Sequence, residues 1–314
     1  MDPYEADPTK IPADDLYADV PLYGRYLPRE NDFRPKADHI RSSTPESLRY
    51  WESVLKQLDS STLLYKDPDD DTRDIFAFGN IIVKSSHMKS TLPMRGYSLC
   101  DENEFAATTV VRDCLNRMGI EVPKILFVGK INGRDTLIQT RIAGVTLNVA
   151  WPYLNAAQKA SFKSQTRKVL GQFRKIHSNS GSSLPSYLVP DNDPVKHRNI
   201  TEQEKAILFE IFGDTGGTGD CKDRHFDGKA IREEEPGEDF CLMHNDLGPS
   251  NIIVNQDKIV GIIDWEMAGF FGLKRACAVH QQCRTPKRED FASLHLEEEH
   301  LADLTYWYDL YQLD

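Results

Sequence analysis

Three side chains in the last third of the sequence have the types and spacing needed to handle a phosphoryl group. Within CLMHNDLGPSNIIVNQDKIVGIIDWEMAG, Asp246 and Asn251 lie five residues apart between apolar, strand-like runs, and Asp264 closes the next such run. Short apolar strands push the polar residues at their ends onto one edge, so the spacing predicts that the three groups converge. Phosphoryl transfer needs this inventory: a carboxylate near the acceptor hydroxyl, and hard oxygen ligands for Mg²⁺ on the phosphates. His244, two residues before Asp246, fits a loop-supporting role as well as a catalytic one. Glu266 reads equally as an aid to the metal, a substrate contact or a solvated carboxylate. A single Asp in a loop is ordinarily a turn or cap residue; the grouping is what gives these residues chemical meaning.

The upstream half carries a lysine and glutamates in a strand-then-helix context. Lys84 closes the run IIVK. Glu104 opens the next helical segment, with Thr108 and Val111 at helical spacing, and Glu102 two residues earlier is the alternative. Either glutamate could instead be a helix N-terminal charge favoured by the macrodipole. The segment KDPDDDTR, between the first two strand-like runs, has no glycine and four aspartates. A glycine-rich phosphate loop is therefore not expected there.

The combination His-x-Asp, Asn and a strand-terminal Asp across residues 244–264, with HNDLGPSN followed by IIDWEMAGF, resembles the aminoglycoside phosphotransferase and choline kinase group of the protein-kinase-like superfamily. It looks most like the fungal members. The resemblance covers roughly residues 76–285. It implies an α+β, bilobal fold, with a small β-rich N-lobe, a larger, mainly helical C-lobe, and ATP (or GTP) between them. It also implies that Asp246 is the catalytic base or orients the acceptor, and that His244 supports the loop. Asn251 and Asp264 would hold Mg²⁺, and Lys84 with Glu104 would meet the nucleotide. Asn245 stands where glycine is common in the bacterial enzymes, and relatives often lack the glycine-rich loop as well.

The elements that must position these groups are also readable. In TPESLRYWESVLKQLD, Thr44 is an N-cap, Pro45 takes the first helical position, and Leu48, Trp51, Val54, Leu55 and Leu58 share a face. DIFAFGNIIVKSS predicts two strands about Gly79-Asn80, and ILFVGKINGRDTLIQTRI a hairpin about Asn132-Gly133. A helix is expected from about Glu104 to Met118, closed by Gly119. Helical patterning takes over after Gly144. Asn155 and Gln158 read as one capping box, and Thr201 and Glu204 as another. The expected organisation is an N-terminal arm and helix over 1–58, an N-lobe over 59–144, and a C-lobe over 145–314. A long Gly- and acid-rich loop spans 213–239.

Composition narrows the function classes. The chain has 314 residues, 39% hydrophobic and 28% charged, and no apolar run long enough to span a bilayer. Its acidic, proline-bearing start does not read as a signal peptide, so the expected compartment is cytoplasmic. Six scattered cysteines fit neither a disulfide framework nor a zinc site. A formal net charge of −11 argues against nucleic acid and would suit a small, cationic hydroxyl acceptor. Only 50 residues follow Asp264, with no A-P-E segment, so a small-molecule acceptor fits better than a peptide. The competing expectation is a nucleotide-binding pseudokinase with a scaffold role, against which the joint presence of Lys84, Asp246, Asn251 and Asp264 weighs.

Overall fold

The computed structural model describes residues 25–69, 71–90, 95–178, 184–209 and 240–312. The acidic loop at 213–239 and the first part of the N-terminal arm lie outside them. The helices are α1 (Pro45–Leu55), α2 (Ser98–Asn116), α3 (Leu147–Ala150), α4 (Ala156–Phe173), α5 (Pro194–Arg198), α6 (Glu202–Phe209), α7 (Leu273–Val279) and α8 (Glu298–Leu304). The strands of the first half are β1 (Leu63–Tyr65), β2 (Asp74–Phe78), β3 (Ile81–Ser85), β4 (Ile125–Ile131), β5 (Arg134–Thr140) and β6 (Val145–Thr146). Those of the second are β7 (Ser186–Tyr187), β8 (Leu242–Met243), β9 (Ile252–Asn255), β10 (Lys258–Ile262) and β11 (Gly269–Phe270). The chain is α+β and forms two compact units. One holds residues 1–162 and 249–266, the other 163–248 and 267–314.

The first unit is built on a five-stranded sheet in the order β1-β2-β3-β5-β4, with every neighbour antiparallel. Side chains alternate across a strand. Ile81 and Val83 of β3 join Phe76, Phe127 and Ile138 in a core closed by α1 through Trp51, Val54 and Leu55. Ile82 and Lys84 therefore point to the opposite face. The start of α1 follows local chemistry: Thr44 Oγ1 accepts from the Ser47 amide at 3.3 Å, and Pro45 sits in the first turn. Trp51 is fully buried, and its indole N–H donates to the His39 carbonyl at 3.0 Å.

The hairpins turn where backbone geometry demands special residues. Asn132 and Gly133 both have positive φ, +51° and +77°, as a two-residue type I′ turn requires. Gly79, at φ +56°, lies so close to the chain that an added Cβ would meet the Phe33 nitrogen at 2.2 Å. The hairpin β9–β10, extended by β6, pairs Ile252 with Ile262, and this register brings the residues flanking the strands to one end.

Helix α2 differs from the sequence expectation. It begins at Ser98, six residues before Glu104, so Glu104 lies in its second turn. Its first turn is capped from a distance: the Asp135 carboxylate accepts from the Tyr97 amide and the Ser98 hydroxyl, both at 2.8 Å. No local cap signal exists to be read, because the capping group lies on β5.

In the second unit, β7, β11 and β8 form a small antiparallel sheet, and Tyr187, Phe271, Leu208, Ile207 and Val279 make a core with α6 and α7. In the first unit, the Asn155–Gln158 capping box at the start of α4 is complete, with reciprocal bonds of 3.0 and 2.9 Å. At α6, Thr201 Oγ1 takes the Glu204 amide at 3.0 Å, but the Glu204 carboxylate turns to Arg284.

Two glycines should respond to alanine with opposite signs. Gly79→Ala forces a Cβ into the Phe33 backbone at positive φ and should destabilise by more than about 1 kcal/mol. Gly171 lies inside α4 with open space at its Cβ position, so Gly171→Ala should stabilise by about 0.5–1 kcal/mol. Urea midpoints of the two variants against the parent check both.

Candidate phosphoryl-transfer site

The first unit gathers a dense cluster of charge on the face of the sheet opposite α1. Lys84 is held in β3 between Ile75 of β2 and Leu137 of β5. Its Nζ donates to Glu104 Oε2 at 2.7 Å and to Asp264 Oδ1 at 2.6 Å. Of the two candidate glutamates, Glu104 is fully buried on the inner face of α2 and Glu102 is exposed. Lys84 and Asp264 are 180 residues apart in sequence and in direct contact in the fold.

Burial sets the electrostatics. Desolvation works against the Lys84 ammonium, but Asp264 and Glu104 together outweigh it and hold its pKa above the ordinary lysine value. Burial pushes Glu104 up to about 7, against the pull of Lys84 and with the help of nearby Asp264 and Glu266. One Glu104 oxygen, Oε1, is buried with no hydrogen-bond partner.

Asp264 lies two residues past β10 with φ +64°, a left-handed conformation uncommon outside glycine but tolerated by Asp. Asn251 ends a 3₁₀ turn at Pro249–Asn251 immediately before β9, and its carbonyl accepts from the Ile263 amide at 3.0 Å. The hairpin register thus sets Asn251 beside the backbone that leads into Asp264. Carboxylate oxygens of Glu104, Asp264 and Glu266 lie within 4.8 Å of one another. These carboxylates offer hard oxygen donors of the kind Mg²⁺ takes. Lys84 and Arg73 face four carboxylates in this cluster, an imbalance that a divalent cation would relieve.

Arg73 is the residue that sequence reasoning missed. It ends the acidic segment between β1 and β2 and is buried, with Nη1 2.5 Å from Asp101 Oδ1 and Nη2 3.4 Å from Glu266 Oε2. Its guanidinium lies 4.2 Å from the centre of the Tyr97 ring. Glu266 is therefore tied to Arg73 through its carboxylate, and its carbonyl accepts from Asn103 Nδ2 at 3.0 Å. The rest of the acidic segment is organised by Lys89, whose Nζ donates to the Asp67 and Asp69 carbonyls at 2.9 and 2.7 Å and pairs with Asp74 at 3.3 Å. The one local signal was a single arginine at the end of an aspartate run and directly before a strand.

Asp246 and His244 belong to the second unit, in the loop after β8. His244 is fully buried, and its Nδ1 accepts from the Asp246 amide at 3.3 Å, which braces the loop across two residues. Asn245 has φ +63°, and its Nδ2 donates to the Met267 carbonyl at 2.9 Å. A left-handed position explains why glycine or asparagine suits it. The Asp246 side chain is about one-third exposed.

Residues 102–270, more than half of the chain, match the family described as APH, phosphotransferase enzyme family, and the chain belongs to it. Its class is that of small-molecule phosphotransferases. Among solved structures, the chain is similar to the streptomycin–ATP–APH(2")-IIa ternary complex at 16% identity and a TM-score of 0.44, covering 88% of this chain and 83% of that one. It is also similar to ADP-bound APH(2'')-Ib at 15% identity and a TM-score of 0.40, covering 84% and 99%. For the macrolide 2'-phosphotransferase MphH from Brachybacterium faecium the values are 14% and 0.40, with 83% and 90% covered. These likenesses are distant, and the family assignment stands on the sequence match. No curated protein matches the chain significantly. Among the described residues, no helix is long and apolar enough to cross a membrane.

Removing Arg73 leaves Asp101 as a buried, unpaired carboxylate. Arg73→Met should therefore cost about 3–5 kcal/mol, and Arg73→Met/Asp101→Asn should recover much of it. Burial already pushes Asp101 up to about 6, with Arg73 opposing. Without Arg73 a carboxyl raised in the folded state loses stability as pH rises through its folded pKa, so the single variant should be hit harder at pH 8 than at pH 5. Denaturant unfolding at the two pH values checks this.

Proposed function

We propose that the protein transfers the γ-phosphate of ATP or GTP to a hydroxyl of a small molecule, in a Mg²⁺-dependent reaction. The single observation that carries this reading is Lys84 held between Glu104 and Asp264, a buried cation supported by a helix glutamate and placed against a hairpin-end carboxylate. In this reading Lys84 meets the nucleotide phosphates, and Glu104 fixes the lysine's position. Asn251 and Asp264 hold the Mg²⁺, which when bound would neutralise charge on the phosphates.

Asp246 is the acceptor-side group. The acceptor oxygen attacks the γ-phosphorus, the bond to the β–γ bridging oxygen breaks, and the nucleoside diphosphate leaves with the electron pair. The hydroxyl proton passes to the Asp246 carboxylate. His244 acts through the loop, by holding the Asp246 amide. The transition state of such transfers is loose, so positioning and electrostatics carry most of the rate enhancement. We take the acceptor to be a small molecule, and the formal charge of −11 favours a cation such as an amine-bearing alcohol over nucleic acid. A cytoplasmic setting fits the same composition.

A nucleotide-consumption screen against amino alcohols, aminoglycosides and sugars should identify an acceptor. On that acceptor Asp246→Asn should lower turnover by about 10²–10⁴-fold and leave nucleotide binding nearly intact. Lys84→Ala should weaken nucleotide binding or turnover in a folded protein, and Asp264→Ala should impair Mg²⁺-dependent nucleotide binding as well. Wild-type turnover by Asp246→Asn would overturn the mechanism.

A further inference from the structure

The second unit contains a charged residue that the family reading leaves without a role. After α7 the chain runs into a turn of π-helix, His280–Arg284, a form that is rare and frequent at functional sites. Arg284 at its end is partly buried and makes three contacts in the Asp246 loop and its surroundings. Its Nη2 donates to Glu204 Oε1 at 2.5 Å, its Nε donates to the Asn245 carbonyl at 3.4 Å, and the same Nε lies 3.5 Å from Asp246 Oδ1. Glu204 is almost fully buried on α6.

We propose that Arg284 is a positioning residue for Asp246, anchored by Glu204, which holds the Asp246 carboxylate ionised and fixed in orientation. The inference rests on the reading of Asp246 as the acceptor-side group. Two features distinguish this arrangement from an ordinary surface ion pair. The anchor is a buried carboxylate, so the guanidinium stays in place whether or not Asp246 is engaged. The second contact is to the carbonyl of Asn245, the left-handed residue that sets the direction in which Asp246 leaves the backbone.

Among the described residues, charged and titratable groups face Asp246 from three elements besides its own loop. Arg284 comes from the π turn and Glu204 from α6. The buried Tyr311, from the C-terminal turns, has a phenol whose pKa is raised by burial first and by Asp246 second. Glu204 is itself raised, by burial first, with Arg284 opposing and Asp246 adding to it. Arg284 thus stands between two carboxylates whose charges would otherwise repel. An opposite charge this close favours the ionised form of a carboxyl by about one to three pKa units. Exposure of Asp246 and the counter-charge of Glu204 weaken the effect without changing its direction.

The chemical consequence is a carboxylate biased toward its ionised form. In a loose transition state the acceptor proton is lost late, so a carboxylate that orients the hydroxyl and takes the proton at the end is sufficient. A strongly basic Asp246, by contrast, would be protonated and silent at mildly acidic pH.

The test follows the Asp246 carboxyl directly. Full-length protein labelled with [4-¹³C]aspartate is titrated by NMR, and the Asp246 signal is identified by its loss in Asp246→Asn. Arg284→Gln should raise the Asp246 midpoint by about one pH unit, a tenfold change, and Arg284→Lys should restore part of it. Glu204→Gln removes a negative charge from the same site and leaves Arg284 uncompensated, so its midpoint should fall. An unchanged midpoint in Arg284→Gln overturns the proposal. If that variant does not fold, a Glu204→Gln midpoint that stays put or rises does so. Both results are independent of turnover: loss of activity in Asp246→Asn together with an unmoved Asp246 midpoint in Arg284→Gln sinks this inference alone. Wild-type activity in Asp246→Asn sinks the functional reading instead.

Discussion

The first unit depends on keeping a lysine ammonium charged in a place water scarcely reaches. Taking an ammonium out of water costs several kcal/mol even after relaxation, and only close, well-aligned carboxylates offset it. Lys84 has two, Glu104 at 2.7 Å and Asp264 at 2.6 Å. They come from a helix and from a hairpin end far along the chain, so one buried charge holds three elements in register. The alternation of β3 divides the work. Ile81 and Val83 fill the core under α1, and Lys84 points to the other face, toward α2.

The acidic segment before β2 is ordered by the same logic. A run of aspartates would be unfavourable if its charges were left to repel. Here Lys89 ties the loop carbonyls together and pairs with Asp74, while Arg73 turns inward to Asp101 and Glu266. The segment thus needs no glycine to be compact, since two basic side chains do the folding that backbone freedom does in a glycine-rich loop. Arg73 also links the strand β2 to the first turn of α2, whose cap comes from Asp135 on β5. The carboxylate cluster therefore rests on interactions that cross the sheet.

The Asp246 loop in the second unit uses backbone geometry more than charge. A left-handed Asn245, a buried His244 that accepts the Asp246 amide, and Arg284 behind the carboxylate restrict its direction. Asn245 and Asp264 are both non-glycine residues at positive φ beside charged groups. Such conformations persist where the surroundings over-determine them, and they are concentrated at working sites.

Sequence alone determined what is local or strongly patterned. The Thr44–Pro45 start of α1, the turns at Gly79-Asn80 and Asn132-Gly133, and the Asn155–Gln158 box all rest on residues a few positions apart, and the structure has each of them. A pairing of Lys84 with a glutamate at the start of the next helical segment was also legible, with Glu104 and Glu102 both open, and the structure pairs it with Glu104. Tertiary structure decided the rest. The start of α2 at Ser98 depends on Asp135, a carboxylate 38 residues from Tyr97. The choice of Glu104 over Glu102 depends on which face of α2 is buried. Glu204 looked like half of a capping box until Arg284, 80 residues on, claimed its carboxylate. Arg73 looked like the end of an acidic loop until burial brought it to Asp101 and Glu266. In each case the deciding partner lies far along the chain, and the energy of a buried charge exceeds any local preference that the sequence displays.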